Sequence, residues 1–217
     1  MKTQSIFEIQ YDSLNYRYLK LTSHVRSGYP LSYGRPLVET PDWSFCYLSL
    51  EEDVADEFEL MEIDDGGDPV LAERRFQAGV ADCTFPLGFV APIFSTRAKE
   101  ILAHVFEQTG QLFPVQVESE TFYVFNCTRL LDAVDSATSE VRYTEGGRPV
   151  DFIRLNFKED VLTGETLFKT RWPPPPESIT GVDYSEISPP LKLFATQTFV
   201  DLVSKNELTR FDFIPVT

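Results

Sequence analysis

Along the chain the apolar positions change period several times, and each change predicts an element. Residues 6–11 and 16–21 alternate polar with apolar and aromatic side chains, the period of half-buried strands. Turn-rich stretches, Ser27-Gly28-Tyr29-Pro30 and Tyr33-Gly34-Arg35-Pro36, separate them from an apolar, aromatic run at 43–50 that reads as a buried strand. Ser49 and Glu52 then stand at the spacing of a capping box. Leu50, Val54, Phe58 and Met61 recur at helical spacing behind it, and Gly66-Gly67 is placed to end a helix. The alternation Glu57-Phe58-Glu59-Leu60 fits a strand as well, so both readings stand there.

A second helix is better marked. Ser95 is placed to cap it, Ala98, Ile101, Leu102, Val105 and Phe106 form one apolar face, and Gly110 ends it. Strand patterns follow at 112–117, 121–125, 141–144 and 150–157, with Gly146-Gly147 as a hairpin signal between the last two. Pro173 to Pro176 form a stiff extended run. A short strand at 191–194, a helix face at Phe199, Leu202 and Val203, and a closing strand at 210–216 complete the chain. Hairpins mixed with isolated helices predict an α+β fold, mainly antiparallel sheet with a few packed helices. Two closely packed parts are expected, residues 1–85, strand-rich and acidic, and residues 86–217, with the boundary near 85–91.

Composition narrows the function classes. With 217 residues, 42% of them hydrophobic, the chain can bury a proper core without a disulfide or metal staple. Its formal charge of −15 argues against general binding to nucleic acid or anionic membrane, because neutralising phosphates requires Lys and Arg. Residues 41–90 hold thirteen acidic and two basic side chains, so most of the excess lies in one segment. The first ten residues show no apolar signal region, and the longest apolar stretch, near 85–94, is interrupted by Pro86, Gly88 and Pro92. Cys46, Cys83 and Cys127 are odd in number and lack CxxC spacing, as suits reduced thiols. A cytoplasmic protein is the expectation.

Catalytic patterns are sparse. His24 and His104 are too few for a three-histidine metal site, and neither sits in an H-E-x-x-H arrangement. No nucleophile elbow, P-loop or dinucleotide fingerprint occurs. The run from Glu62 to Asp68 departs from the calcium-loop pattern, since Gly66 falls where an oxygen ligand is required. No metal or cofactor is expected.

Between Glu51 and Asp68 there are ten acids and no Lys or Arg. In a helix these 18 residues would carry one charge per ~2.7 Å of axis, against about 1.7 Å for duplex DNA. Such a face serves either as a solubilising surface or as a docking surface for a basic protein. In the second reading the contact candidates are Glu51, Glu52, Asp53, Asp56, Glu57, Glu59, Asp64 and Asp65. Trp43 and Trp172 are further possible anchors, with Trp43 better suited to the core and Trp172, beside four prolines, to the surface.

The second half has a distinctive order. Ala91-Pro92-Ile93-Phe94-Ser95-Thr96-Arg97 leads into the capped helix, followed by Leu112-Phe113-Pro114-Val115, Phe122-Tyr123-Val124-Phe125-Asn126-Cys127 and Leu130-Leu131-Asp132. The chain closes with Leu193 to Val203 and Leu208-Thr209-Arg210-Phe211-Asp212-Phe213. Over residues 86–217 this resembles the bacterial polymorphic-toxin immunity proteins of the myxobacterial kin-discrimination type. The resemblance implies a non-enzymatic inhibitor that binds a cognate toxin domain in the cytoplasm and blocks its active site or substrate path. The acidic excess suits a basic toxin such as a nuclease. The resemblance supplies no catalytic residue, cofactor or fixed oligomeric state. The alternatives are a self-assembling structural protein and an enzyme with an unrecognised carboxylate site.

Overall fold

The computed structural model describes residues 5–10, 81–84, 91–117, 120–176, 187, 190 and 192–216, and the backbone alone of segments 18–21, 48–51, 61–63 and 69–71; residues 84, 116 and 117 are likewise described by backbone alone. In chain order the first strands are β1 (Ile6–Gln10), β2 (Tyr18–Leu21), β3 (Leu48–Glu51), β4 (Met61–Ile63), β5 (Pro69–Leu71), β6 (Cys83–Thr84) and β7 (Ile93–Ser95). Helices α1 (Thr96–Ile101) and α2 (Ala103–Thr109) follow, then β8 (Gly110–Val117), β9 (Glu120–Cys127) and β10 (Leu130–Leu131). The remainder is β11 (Glu140–Tyr143), β12 (Pro149–Arg154), a 3-10 turn at Glu159–Leu162, β13 (Leu167–Thr170), β14 (Phe194–Thr196), α3 (Gln197–Lys205) and β15 (Asp212–Val216).

Pairing is antiparallel except for β10 with β13, so the class is α+β with mainly antiparallel sheet. One sheet has the order β10-β13-β14-β1-β15 and a second the order β6-β7-β9-β8; β2–β3, β4–β5 and β11–β12 are two-stranded. The first strand of the chain thus lies between two of the last, with Ile6 opposite both Thr196 and Val216.

Alternation of side chains across the five-stranded sheet builds two cores. Ile9, Leu167 and Ala195 face a core shared with α1, α2 and α3, where Phe94, Leu102, Phe106, Phe125 and Phe199 meet. Ile6, Phe168 and Phe194 face the other way, onto Leu131, Val134, Leu155 and Leu162. Phenylalanines fill both layers in edge, tilted or stacked contact. Phe94 and Phe106 lie 4.7 Å apart, Phe106 and Phe125 4.9 Å, and Phe157 and Phe194 5.2 Å. Because both faces of the sheet are covered, β13 is buried along its whole length, Lys169 included.

The second sequence-predicted helix forms as expected. Ser95 accepts from the Ala98 amide at its N-terminus, and Leu102 breaks it into α1 and α2. Gly110 ends it and begins β8. A Cβ there would sit 2.3 Å from the Asn126 carbonyl oxygen and 2.5 Å from the Phe125 ring, so close strand approach requires glycine. The acidic helix expected behind Ser49 is corrected at both ends. Ser49 lies in β3 opposite Lys20, and Met61 opens β4 opposite Leu71. Gly66-Gly67 therefore falls, in sequence, between two paired strands and not at a helix end. Residues 52–60, where helix and strand readings both stand, lie outside the described residues.

Candidate functional site

Three groupings of polar and exposed side chains stand out from the packed layers. The first is centred on Asp82, which is 4% exposed. Its carboxylate accepts from Ser95 Oγ at 2.7 Å, Arg97 Nη1 at 2.6 Å and both the amide and the hydroxyl of Thr209 at 3.0 and 3.1 Å. Arg97 also donates to the Asn206 carbonyl at 2.7 Å. Asp82 therefore joins β6, the start of α1 and the turn that follows α3. That turn needs left-handed backbone at Glu207 and Arg210. This is a structural latch between elements distant in sequence.

The second grouping lies around β13. Lys169 is 3% exposed, and burial lowers its pKa, with the nearby Cys127 thiol acting in the opposite direction. Burial also pushes the Cys127 thiol up to about 11, against the smaller effect of Lys169. Burial raises the Cys83 thiol too. Neither thiol is therefore a ready nucleophile. Arg129 and Glu165 close the same end of the strand in a two-pronged ion pair. Among the described residues no group of three or more His, Cys, Asp or Glu is placed to hold a metal ion, and no helix is long and apolar enough to cross a membrane.

The third grouping is the β11–β12 hairpin. Its turn is set by Gly147 at φ 76° and by the amide of Thr144 on the Arg148 carbonyl. Irregularities in register occur beside Val141 and Tyr143. No third described strand pairs with it. On β12, Phe152 stacks against Trp172 at 4.8 Å. Asp151 lies 3.6 Å from Lys192, which also holds Glu8 of β1 at 3.0 Å. Burial works against the Lys192 charge, but the hydrogen bond and charge of Glu8, with Asp151 behind, hold its pKa above the ordinary lysine value. The residues on either side are left to solvent, Val150 at 49% and Ile153 at 63% exposed. Arg142, Arg148 and Arg154 are exposed along the same hairpin.

The sequence-predicted contact residues are distributed differently. Glu51 is the last residue of β3, opposite Tyr18. Glu52, Asp53, Asp56, Glu57, Glu59, Asp64 and Asp65 lie outside the described residues, as does Trp43. Trp172 is half-buried on Phe152, beside a buried Pro173. Sequence reasoning found the hairpin and Ser95 but neither the exposed pair nor Asp82. A Val or Ile in a strand carries no sign of which face is covered, and the partners of Asp82 are set by the tertiary fold.

Residues 88–179 match the model of a family described as an immunity protein family, Imm11. No curated protein matches the chain. The matched span contains β7 to β13, α1, α2, the whole hairpin and Trp172. It supports an immunity-protein role and, with it, a cognate toxin as partner.

Proposed function

We propose that this chain is an immunity protein that binds a cognate toxin domain in the cytoplasm and neutralises it by covering its active site or substrate path. The observation that carries the reading is the family match over residues 88–179. The order of motifs from Ala91 to Cys127 points the same way, and the helix and strands expected there from the sequence form in the fold. The net charge of −15 favours a basic toxin, of which a nuclease is the natural type, because opposite net charges raise the rate of encounter. Inhibition by occlusion needs no turnover by the inhibitor, only a rigid surface that fits.

Rescue of growth tests the proposal. The toxin-like domain encoded beside this chain is expressed alone and together with it. Restored growth and a complex that co-purifies are expected. A domain that is toxic alone, is not relieved and does not bind would overturn the reading.

A further inference from the structure

We propose that the chain is a tandem of two repeats, residues 5–117 and 120–216, that exchange their first strands: β1 of the first repeat completes the sheet of the second, and β9 of the second completes the sheet of the first. The inference does not depend on the immunity reading.

Both repeats run strand, insert, two strands, helix, strand. The first is β1, residues 11–82, β6, β7, α1–α2 and β8; the second is β9, residues 128–166, β13, β14, α3 and β15. Their sheets share one order, β6-β7-β9-β8 against β13-β14-β1-β15, and each of these pairings is antiparallel. From β7 to β8 and from β14 to β15 the positions correspond one for one, without a gap. The N-cap Ser95 corresponds to Thr196. Buried Ala98 and Leu102 correspond to buried Phe199 and Val203, and half-buried Ile101 to half-buried Leu202. Phe113-Pro114-Val115 corresponds to Ile214-Pro215-Val216. Where α2 continues to Thr109, the second repeat has the left-handed turn at Glu207 and Arg210.

The exchanged strands keep one register. Tyr123 of β9 lies between Phe94 and Pro114, and Phe7 of β1 lies between Ala195 and Pro215. Bonds at the strand ends correspond too. The Phe125 amide donates to the Pro92 carbonyl at 2.9 Å, as Ile9 does to Leu193 at 2.9 Å. The Ser95 amide donates to the Asp82 carbonyl at 3.1 Å, as Thr196 does to Thr166 at 3.0 Å. Two unrelated sheets could share a strand order, but the shared register, proline position and flanking bonds mark copies of one unit.

The exchange has a physical consequence. Each helical crossover sets two parallel strands one strand apart, β7 with β8 and β14 with β15. The slot between them must be filled, because buried N–H and C=O groups need partners. In each case the filling strand belongs to the other repeat. Neither half is a complete folding unit, and the two sheets open together.

Hydrogen exchange on the full chain, followed by mass spectrometry, tests this. In the wild type, β1 and β9 should exchange within about tenfold of each other, both through global unfolding. A β1 that exchanges more than tenfold faster overturns the proposal, since the second repeat then stands without it. Ile6 lies in the core to which the first sheet contributes no residue. Ile6→Ala should nevertheless speed exchange by roughly 30-fold or more, equally in β7–β9 and in β13–β15. A rise confined to β1 and β13–β15 overturns the coupling. A chain of reversed order, residues 120–217 joined by a short Gly-Ser linker to residues 1–119, tests equivalence without removing any contact. One cooperative melt within about 10 °C of the wild type is expected, since β15 and β1 then form the hairpin that β8 and β9 form in the native order. Loss of the cooperative melt overturns the equivalence of the repeats.

Discussion

Asp82 shows how a single side chain ties distant parts of this chain together. Four donors converge on one buried carboxylate, from β7, α1 and the turn after α3. Asp82→Asn keeps the shape but replaces one acceptor oxygen by a donor that faces other donors. Hydrogen bonds to charged groups are worth about 1.5–3 kcal/mol each, and Arg97, half exposed, adds less than its short distance suggests. A destabilisation of about 2–4 kcal/mol is expected, seen as a Tm lower by roughly 5–15 °C for a chain of this size. An unchanged Tm would show that the latch carries no net stability. Cys127 makes a second prediction at this scale. Unfolded, a thiol ionises near 9; folded, burial raises Cys127 to about 11. The unfolded chain therefore releases this proton first, and between those values the native state binds more protons. The contribution is full below pH 9 and is lost as pH rises towards 11. At about 1.36 kcal/mol per unit this amounts to roughly 2–3 kcal/mol. Lys169, whose neutral form burial favours, acts in the opposite direction in both wild type and Cys127→Ala. Urea midpoints measured from pH 8 to 11 should fall more steeply for the wild type than for Cys127→Ala; parallel curves would refute the assignment.

Among the elements, β1 depends most on partners far away in sequence. It lies between β14 and β15, and its Ile6 and Ile9 enter opposite cores. Removal of residues 1–10 deletes both side chains and splits the sheet. Each buried isoleucine is worth about 2–5 kcal/mol, so their joint loss approaches the whole stability of an ordinary domain. The truncated chain should lose its cooperative thermal transition, whereas a normal melt would mean that β14 and β15 close up without the strand. This dependence explains what was legible in the sequence. The α1–α2 stripe and the Ser95 cap were readable because their signals are local, and so were β8, β9 and the two strands of the β11–β12 hairpin. The strand pattern at 6–11 was readable too, but nothing in those residues names β14 and β15 as partners. The acidic helix was misplaced at its ends. Leu50, Val54, Phe58 and Met61 fit helical spacing, yet Ser49 and Leu50 lie in β3 and Met61 in β4, where cross-strand pairing outweighs a weak propensity; residues 52–60 lie outside the described residues. The short β7, β10 and β13 carry too few residues to show a period, and β13 has a buried lysine within it. The candidate site was the least legible part, since exposure of Val150 and Ile153 follows from what the fold leaves uncovered.

At the scale of the molecule, the span that matches the immunity family is not a closed unit. Of the five-stranded sheet it contains only β10 and β13, while β14, β1 and β15 lie outside. The family-like segment and the ends of the chain thus share one hydrophobic core, and the hairpin is pinned through Lys192 to Glu8 near the N-terminus. Charge acts over longer distances. A chain of −15 attracts a basic domain before contact, and at 0.15 M salt the field extends about 8 Å, falling to about 3 Å at 1 M. Association with the toxin domain should therefore slow by tenfold or more between about 0.05 and 0.5 M salt, while dissociation changes little. Stopped-flow association and dissociation rates, measured across that salt range, check this. An association rate that ignores salt would show that the acidic excess serves solubility and does not steer the toxin.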